Sequence, residues 1–260
     1  MRNLVITSDD FGMSHGINQG IYQAAKENLI TCTNYMVPTP WFEHAISVAS
    51  TMNLDFGIHL TLTNEWDFYK WRPITSAKSL RDKQGYLKKN IYELMQDGVD
   101  TNEIKEECYA QIDIATKKDP RIMFIDLHMC IPTIEEDVVV NPLHELTLLE
   151  IINDISRETG LMYPYSINKN RLSHFDSHIS ISGKTTEEVV NYLNNIGSGN
   201  HHLSCHCSIE SEEPKHFTLQ SNPWALEYRL IDTQTLRANW FNDAIINNDI
   251  KIMPLSTLVL

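Results

Sequence analysis

Apolar positions along the chain fall into short runs of four to seven residues, each separated from the next by a longer stretch with apolar residues three or four apart. Leu4-Val5-Ile6 leads such a run, and Ile17, Ile21, Ala24 and Ala25 then mark one face of a helix over Ile17 to Asn28. Thr31 to Val37 reads as a second strand, Trp41 to Thr51 as a helix, and Phe56 to Leu62 as a third strand. A helix over Thr101 to Lys117 precedes a strand at Ile122–Asp126. Asn141 to Thr159 has a cap at Asn141, Pro142 at its first position and an apolar stripe through Leu146, Leu149 and Ile152. A short strand is expected at Met162–Ile167, a helix at Thr185 to Ile196 and a strand at His202–His206. Trp224 to Ile246 is mostly helical in pattern, and Ile250–Pro254 closes the chain as a strand. Runs apolar on both faces, alternating with helices, predict buried parallel strands. Six or seven such units without a linker or repeat predict one α/β domain over 1–260, a (β/α) barrel, incomplete or closed.

The irregular stretch is Asn64 to Asn90, a loop insertion carrying Trp66, Phe68, Tyr69, Trp71 and Arg72-Pro73. So long a loop inside a compact domain is usually functional or disordered. Its aromatic residues form either a sugar-binding wall or lid, or packing against the body.

Three of the apolar runs end in a metal-ligand type. Leu4-Val5-Ile6-Thr7-Ser8 ends in Asp9-Asp10, Phe56-Gly57-Ile58 in His59, and Phe124-Ile125-Asp126-Leu127 in His128. Strand ends of α/β sheets are where active sites form. One carboxylate and two imidazoles meeting there make a three-ligand site with open positions, suited to metal-assisted hydrolysis. Adjacent strand residues point to opposite faces, so Asp9 and Asp10 serve one site only across a turn or strand end. The division of labour that follows gives Asp10 to the metal and makes Asp9 the general base for the water it activates. The plainer alternative is an Asp-Asp pair capping the next helix, with His59 and His128 as satisfied core histidines.

Asp126, two residues before His128, is placed to orient an imidazole. A fourth run, His202-Leu203-Ser204-Cys205-His206, presents His206 as the acid for a leaving amine. His201 and His202 are expected to be exposed. Cys205-x-Cys207 lacks the second pair of a structural zinc site. Two imidazoles and a carboxylate suit Zn, Co or Mn better than Mg.

Composition narrows the partners. Hydrophobic residues make up 42% of 260, enough for a sizeable core, and the formal net charge is −13 with no Lys/Arg cluster. That disfavours nucleic acid and anionic membrane, and favours a neutral or cationic small substrate. Five scattered cysteines and a direct start into the first strand point to a cytoplasmic protein with free thiols. Oligomeric state is open, a homodimer included.

The ordered combination of motifs resembles the YdjC/ChbG-type carbohydrate deacetylases. Thr7-Ser8-Asp9-Asp10-Phe11-Gly12, then Gly16-Ile17-Asn18-Gln19-Gly20-Ile21, is similar to the family's opening strand and helix start. Gly57-Ile58-His59-Leu60-Thr61-Leu62-Thr63, Arg72-Pro73, Asp126-x-His128, the strand Gly199 to His206 and Glu227-Tyr228-Arg229 resemble its later signatures. The resemblance implies a deformed (β/α) barrel of the polysaccharide-deacetylase, NodB-like kind. It implies one divalent metal, often described as magnesium, on Asp10, His59 and His128, with Asp9 as base and His206 as the late-strand histidine. It also implies removal of acetyl groups from N-acetylated sugars such as chitooligosaccharides. The chain departs from the pattern at Cys130, where many members carry a second histidine, at Cys207-Ser208 in place of Pro-Gly, and near Met162–Tyr165, which lacks an arginine. A metal-dependent isomerase or lyase on a related barrel, and a non-catalytic sugar-binding homologue, are the competing expectations.

Overall fold

Parallel pairing organises the molecule. The computed structural model describes residues 1–96, 98–129, 142–164, 167–168, 171–172 and 174–258, with only the backbone path described at 96, 142–147, 167–168 and 171–172. Asn141 and Cys130 lie outside the described residues, so the helix cap and the histidine replacement read from the sequence fall there too.

In chain order the elements are β1 (Arg2–Phe11), α1 (His15–Lys26), β2 (Cys32–Tyr35), α2 (Phe42–Ala49), β3 (Asp55–Leu60), α3 (Ile91–Gln96), α4 (Thr101–Lys118) and β4 (Ile122–Leu127). They continue as α5 (Pro142–Thr159), β5 (Ile167–Asn168), β6 (Arg171–Leu172), β7 (Ser177–Ser180), α6 (Thr186–Asn195), β8 (Gly199–Cys205), α7 (Glu227–Arg237), α8 (Asn239–Asn247) and β9 (Ile250–Ile252). Seven strands form one sheet in the order β4-β3-β2-β1-β8-β7, with β9 also pairing β1. All of these pairings are parallel.

The two faces of the sheet carry two separate apolar clusters. Leu4, Ile6, Tyr35, Ile58, Leu60, Ile125, Leu127 and Leu203 pack outward with helix residues such as Ile17, Ile21 and Ile112. Their strand neighbours Val5, Cys32 and Phe124 face the other way and join Phe175 and Leu255 in a small inner cluster. This is the strand period of two, hidden in the sequence because both faces are apolar. Phe124 belongs to one edge strand and Phe175 precedes the other, so the sheet curls until its ends share an interior. Among the described residues the pairing path stays open between β4 and β7, so the structure is the parallel α/β sheet with flanking helices expected from the sequence. Fully burying a side chain such as Phe124 contributes roughly 1.5–3 kcal/mol.

Gly57 makes room for this interior. A Cβ there would lie 2.4 Å from Cε2 of Phe124. The opening motif also has a packing reason. Asn18 Oδ1 accepts from the Gly12 N–H at 2.7 Å, while its amide nitrogen reaches the Trp41 carbonyl at 3.1 Å. The same residue thus ties the β1–α1 turn to the start of α2.

Several expectations are corrected. The expected strand Met162–Ile167 is, within the described residues, a parallel bridge from Met162 to Phe124, with Ile167 beginning the separate two-residue strand β5. β7 was not expected because Ser177-His178-Ile179-Ser180 lacks an apolar run. The region Trp224 to Ile246 is two helices, parted at the extended Ala238. His201 and His202 are buried, not exposed. β8 is a central strand covered on both faces, and His202 Nε2 meets Thr7 Oγ1 at 2.8 Å in the interior.

Candidate metal centre

The carboxyl ends of β1, β3, β4, β7 and β8 rim a cavity of about 360 Å³, lined among others by Asp9, Asp10, His59, Asp126, His128, His206 and Arg229. The structure therefore brings together all five site residues read from the sequence.

Asp9 and Asp10 reach one site because β1 is irregular there. Its register with β2 shifts between Ser8 and Phe11, and Asp10 has φ 72°, in the left-handed region. Asp tolerates that conformation better than most residues. The kink re-aims the Asp10 carboxylate to the side that Asp9 already faces, as bulges beside active sites commonly do.

Asp10 Oδ1 lies 3.5 Å from His59 Nε2 and 3.4 Å from His128 Nδ1. Each imidazole is held by a carboxylate at its other nitrogen. His59 Nδ1 is 2.5 Å from Asp126 Oδ1, and His128 Nε2 is 3.1 Å from Glu65 Oε2. Asp126 thus orients His59, a choice the sequence reading left open. Across the sheet, His59 and Asp126 are register partners. Glu65 comes from the long loop, and sequence reasoning missed it.

Asp10 Oδ1 is buried without a hydrogen-bond partner. An unpaired buried carboxylate oxygen facing two imidazole nitrogens whose far sides are already committed fits a divalent cation. Asp10, His59 and His128 can offer three ligand atoms within 4.8 Å of one another. Asp9, His59 and Asp126 are spaced similarly, but both Asp126 oxygens and one Asp9 oxygen are already hydrogen-bonded. Asn34 Nδ2 donates to Asp9 Oδ1 and to Asp126 Oδ2, both at 2.7 Å. We assign that second group to orientation.

The charges follow the geometry. Burial and the Asp126 carboxylate push Asp9 up to about 7. Burial opposes ionisation of Asp10 as well, yet the Arg229 guanidinium and His128 hold it well below the usual carboxylate range. Arg229 Nη2 sits 2.7 Å from Asp10 Oδ2. Burial depresses His128, but Glu65 and Asp10 more than compensate and raise it to about 10. His206 is lowered to about 3, chiefly by burial, although Asp10 pulls it upward.

His206 Nε2 faces Asp10 Oδ2 at 4.0 Å. Its Nδ1 meets Ser182 Oγ at 2.8 Å, and Ser182 in turn donates to Asp232. Asp232 also accepts the His206 backbone N–H at 2.8 Å. This relay was invisible in the sequence, because Ser182 follows a polar strand and Asp232 sits on α7. Of the loop aromatics, Trp66 lines the cavity, while Trp71 is buried and Tyr69 stacks on Phe217 at 4.2 Å. Trp224 supplies another aromatic wall, edge-on to His206.

A curled parallel sheet with an Asp/His cluster at its carboxyl rim defines an α/β protein with an enzyme-like site. Residues 3–245 match the family described as YdjC-like protein, and the chain belongs to that family. It is 34% identical over 116 residues to a carbohydrate deacetylase of Thermus thermophilus, covering 45% of this chain and 40% of that protein. It is 30% identical over 132 residues to a carbohydrate deacetylase of Thermoanaerobacter pseudethanolicus, covering 49% and 50%. The matched stretch thus spans half or less of these curated relatives. A crystal structure of an Enterococcus faecalis protein provisionally named for cellobiose-phosphate cleavage superposes with TM-score 0.78 at 20% identity, covering 99% of this chain and 98% of that one. That likeness establishes the fold. Among the described residues no helix is long and apolar enough to cross a membrane.

Proposed function

We propose that this protein is a metal-dependent hydrolase that removes acetyl groups from N-acetylated sugars or their oligomers. The observation that carries the reading is the unpaired Asp10 Oδ1 between two carboxylate-backed imidazoles, with Asp9 beside it. The family and the relatives named carbohydrate deacetylase support the sugar amide as substrate.

Asp10, His59 and His128 would hold the cation. When bound, it would polarise the amide carbonyl and make an attacking water more acidic. Asp9 accepts the proton of that water, and Asn34 fixes which of its oxygens stays available. His206 faces the departing nitrogen, with Ser182 and Asp232 setting its ring. Because burial keeps His206 neutral at rest, the proton it delivers to the amine is one it takes up during turnover. The two nitrogen ligands favour Zn, Co or Mn over Mg. Trp66, Trp224, Leu127 and Met129 give the cavity an apolar wall against which a sugar ring can lie.

The test is acetate release from N-acetylglucosamine and its oligomers by protein loaded separately with Zn, Mn, Co and Mg, and by chelated protein. Release that is lost on chelation and restored by one of these metals is expected. No release with any of the four rejects the proposal.

A further inference from the structure

Four residues lining the cavity each carry a buried polar atom without a hydrogen-bond partner among the described residues: Asp10 Oδ1, Trp66 Nε1, Ser180 Oγ and Arg229 Nη1. Asp10 Oδ1 is accounted for by the cation. Trp66 and Ser180 are neutral and suit sugar hydroxyls. Arg229 is different, being a cation only 2% exposed.

Its guanidinium is fixed in direction. Nε donates to the Trp224 carbonyl at 2.9 Å, and Nη2 to Asp10 Oδ2 at 2.7 Å. Nη1 is left as a buried donor without a partner among the described residues, on a guanidinium whose charge is already next to the ligand set. Among the described lining residues Asp9, Asp10, Glu65 and Asp126 are carboxylates and Arg229 is the one Lys or Arg. Beside the proposed cation and its two imidazoles, Arg229 is therefore the fixed positive charge an entering anion would meet. A buried, oriented donor of this kind is most effective where negative charge develops during a reaction.

Building on the deacetylase reading, we propose that Arg229 is a catalytic oxyanion donor and forms the binding site for the carboxylate product. Water oxygen adds to the acyl carbon, the carbonyl π pair moves onto the acyl oxygen, and the water proton passes to Asp9. Nη1–H hydrogen-bonds that oxygen. The oxyanion pair then re-forms the carbonyl as the C–N bond breaks, and the electron pair of that bond goes to nitrogen. The proton first taken by Asp9 is delivered to that nitrogen from His206, while the remaining hydroxyl proton passes to the amine, so that an ammonium group and acetate are formed. Arg229 then holds the acetate through the same nitrogen.

The experiment titrates sodium acetate, and neutral acetamide as control, into metal-loaded wild type, Arg229→Lys and Arg229→Gln by calorimetry. Metal content and kcat on an N-acetylated sugar are measured alongside. Lys preserves a positive charge beside Asp10 but has one nitrogen. The expected result is about tenfold or greater loss of acetate affinity in both variants, with acetamide binding unchanged. In Arg229→Lys, wild-type metal content should accompany a kcat lower by about 10²–10³. Wild-type acetate affinity in Arg229→Lys, absence of acetate binding to the wild type, or loss of metal from both variants overturns the proposal. Arg229-dependent acetate binding in a wild type that deacetylates nothing would reject the deacetylase reading and leave the anion site standing. A wild type that deacetylates while both variants keep acetate affinity and kcat would reject the anion site alone.

Discussion

Asp126 Oδ1 rests 2.5 Å from Nδ1 of His59, on the adjacent strand. Its own neighbour two residues along, His128, is held instead by Glu65 at 3.1 Å. Both imidazoles consequently present their remaining nitrogen to Asp10, each with a carboxylate at its far side.

Removing either support should loosen the metal without dismantling the fold. Asp126→Asn and Glu65→Gln are each expected to weaken metal affinity by about 10–100-fold. Competition against a chromogenic chelator measures this directly. Unchanged affinity in either variant would deny that residue its orienting role.

Asp9→Asn keeps the oxygen that accepts from Asn34 but removes the base. Turnover should fall by about 10²–10⁴, while metal content by elemental analysis stays at the parent level. Full activity would reject Asp9 as the base.

Gly57→Ala probes the interior of the curled sheet. The added methyl would press on the Phe124 ring, with three ring carbons at 2.4 to 2.6 Å. Overpacking of this kind costs about 1–3 kcal/mol, read as a lower urea midpoint at unchanged slope. A midpoint equal to that of the parent would mean that Phe124 has room to move.

Acidification should destabilise the interior through His178. Burial lowers this residue to about 4 in the folded protein, against an ordinary value of 6.5. Between those values the unfolded chain binds more protons than the folded one, so stability falls as pH drops from 6.5 towards 4. The slope from one such group approaches about 1.4 kcal/mol per pH unit. His202, stacked on it with centroids 5.0 Å apart, is lowered for the same reason and adds in the same direction. Urea unfolding at several pH values should show a shallower acid limb for His178→Phe than for the parent. Identical limbs would exclude a contribution from this residue.

Sequence pattern made the strand-end placement of Asp10, His59, His128 and His206 legible, because an apolar run that stops at a polar group marks where a buried strand surfaces. It could not show which imidazole Asp126 serves. Spacing along one strand is visible, but register between β3 and β4 is set by packing across the sheet. Asn34 looked like an ordinary strand residue, and only the neighbouring carboxylates on β1 and β4 give its amide a task. Arg229, Ser182 and Asp232 lie far along the chain on a helix and in a turn, where charged and polar residues usually face water. His201 and His202 misled for the opposite reason, since polarity suggested exposure on a strand covered from both sides.

The left-handed residue in β1 has a consequence for how this site can be lost. One residue of the chain is spent on shape rather than on pairing, and only through it do neighbouring carboxylates look the same way. The two residues between Ser8 and Phe11 are the acids themselves, so shortening this segment by one removes Asp9 or Asp10 along with the irregularity. Shape and reactivity thus share the same two positions, and an edit that straightens the strand also deletes one of the groups the chamber needs.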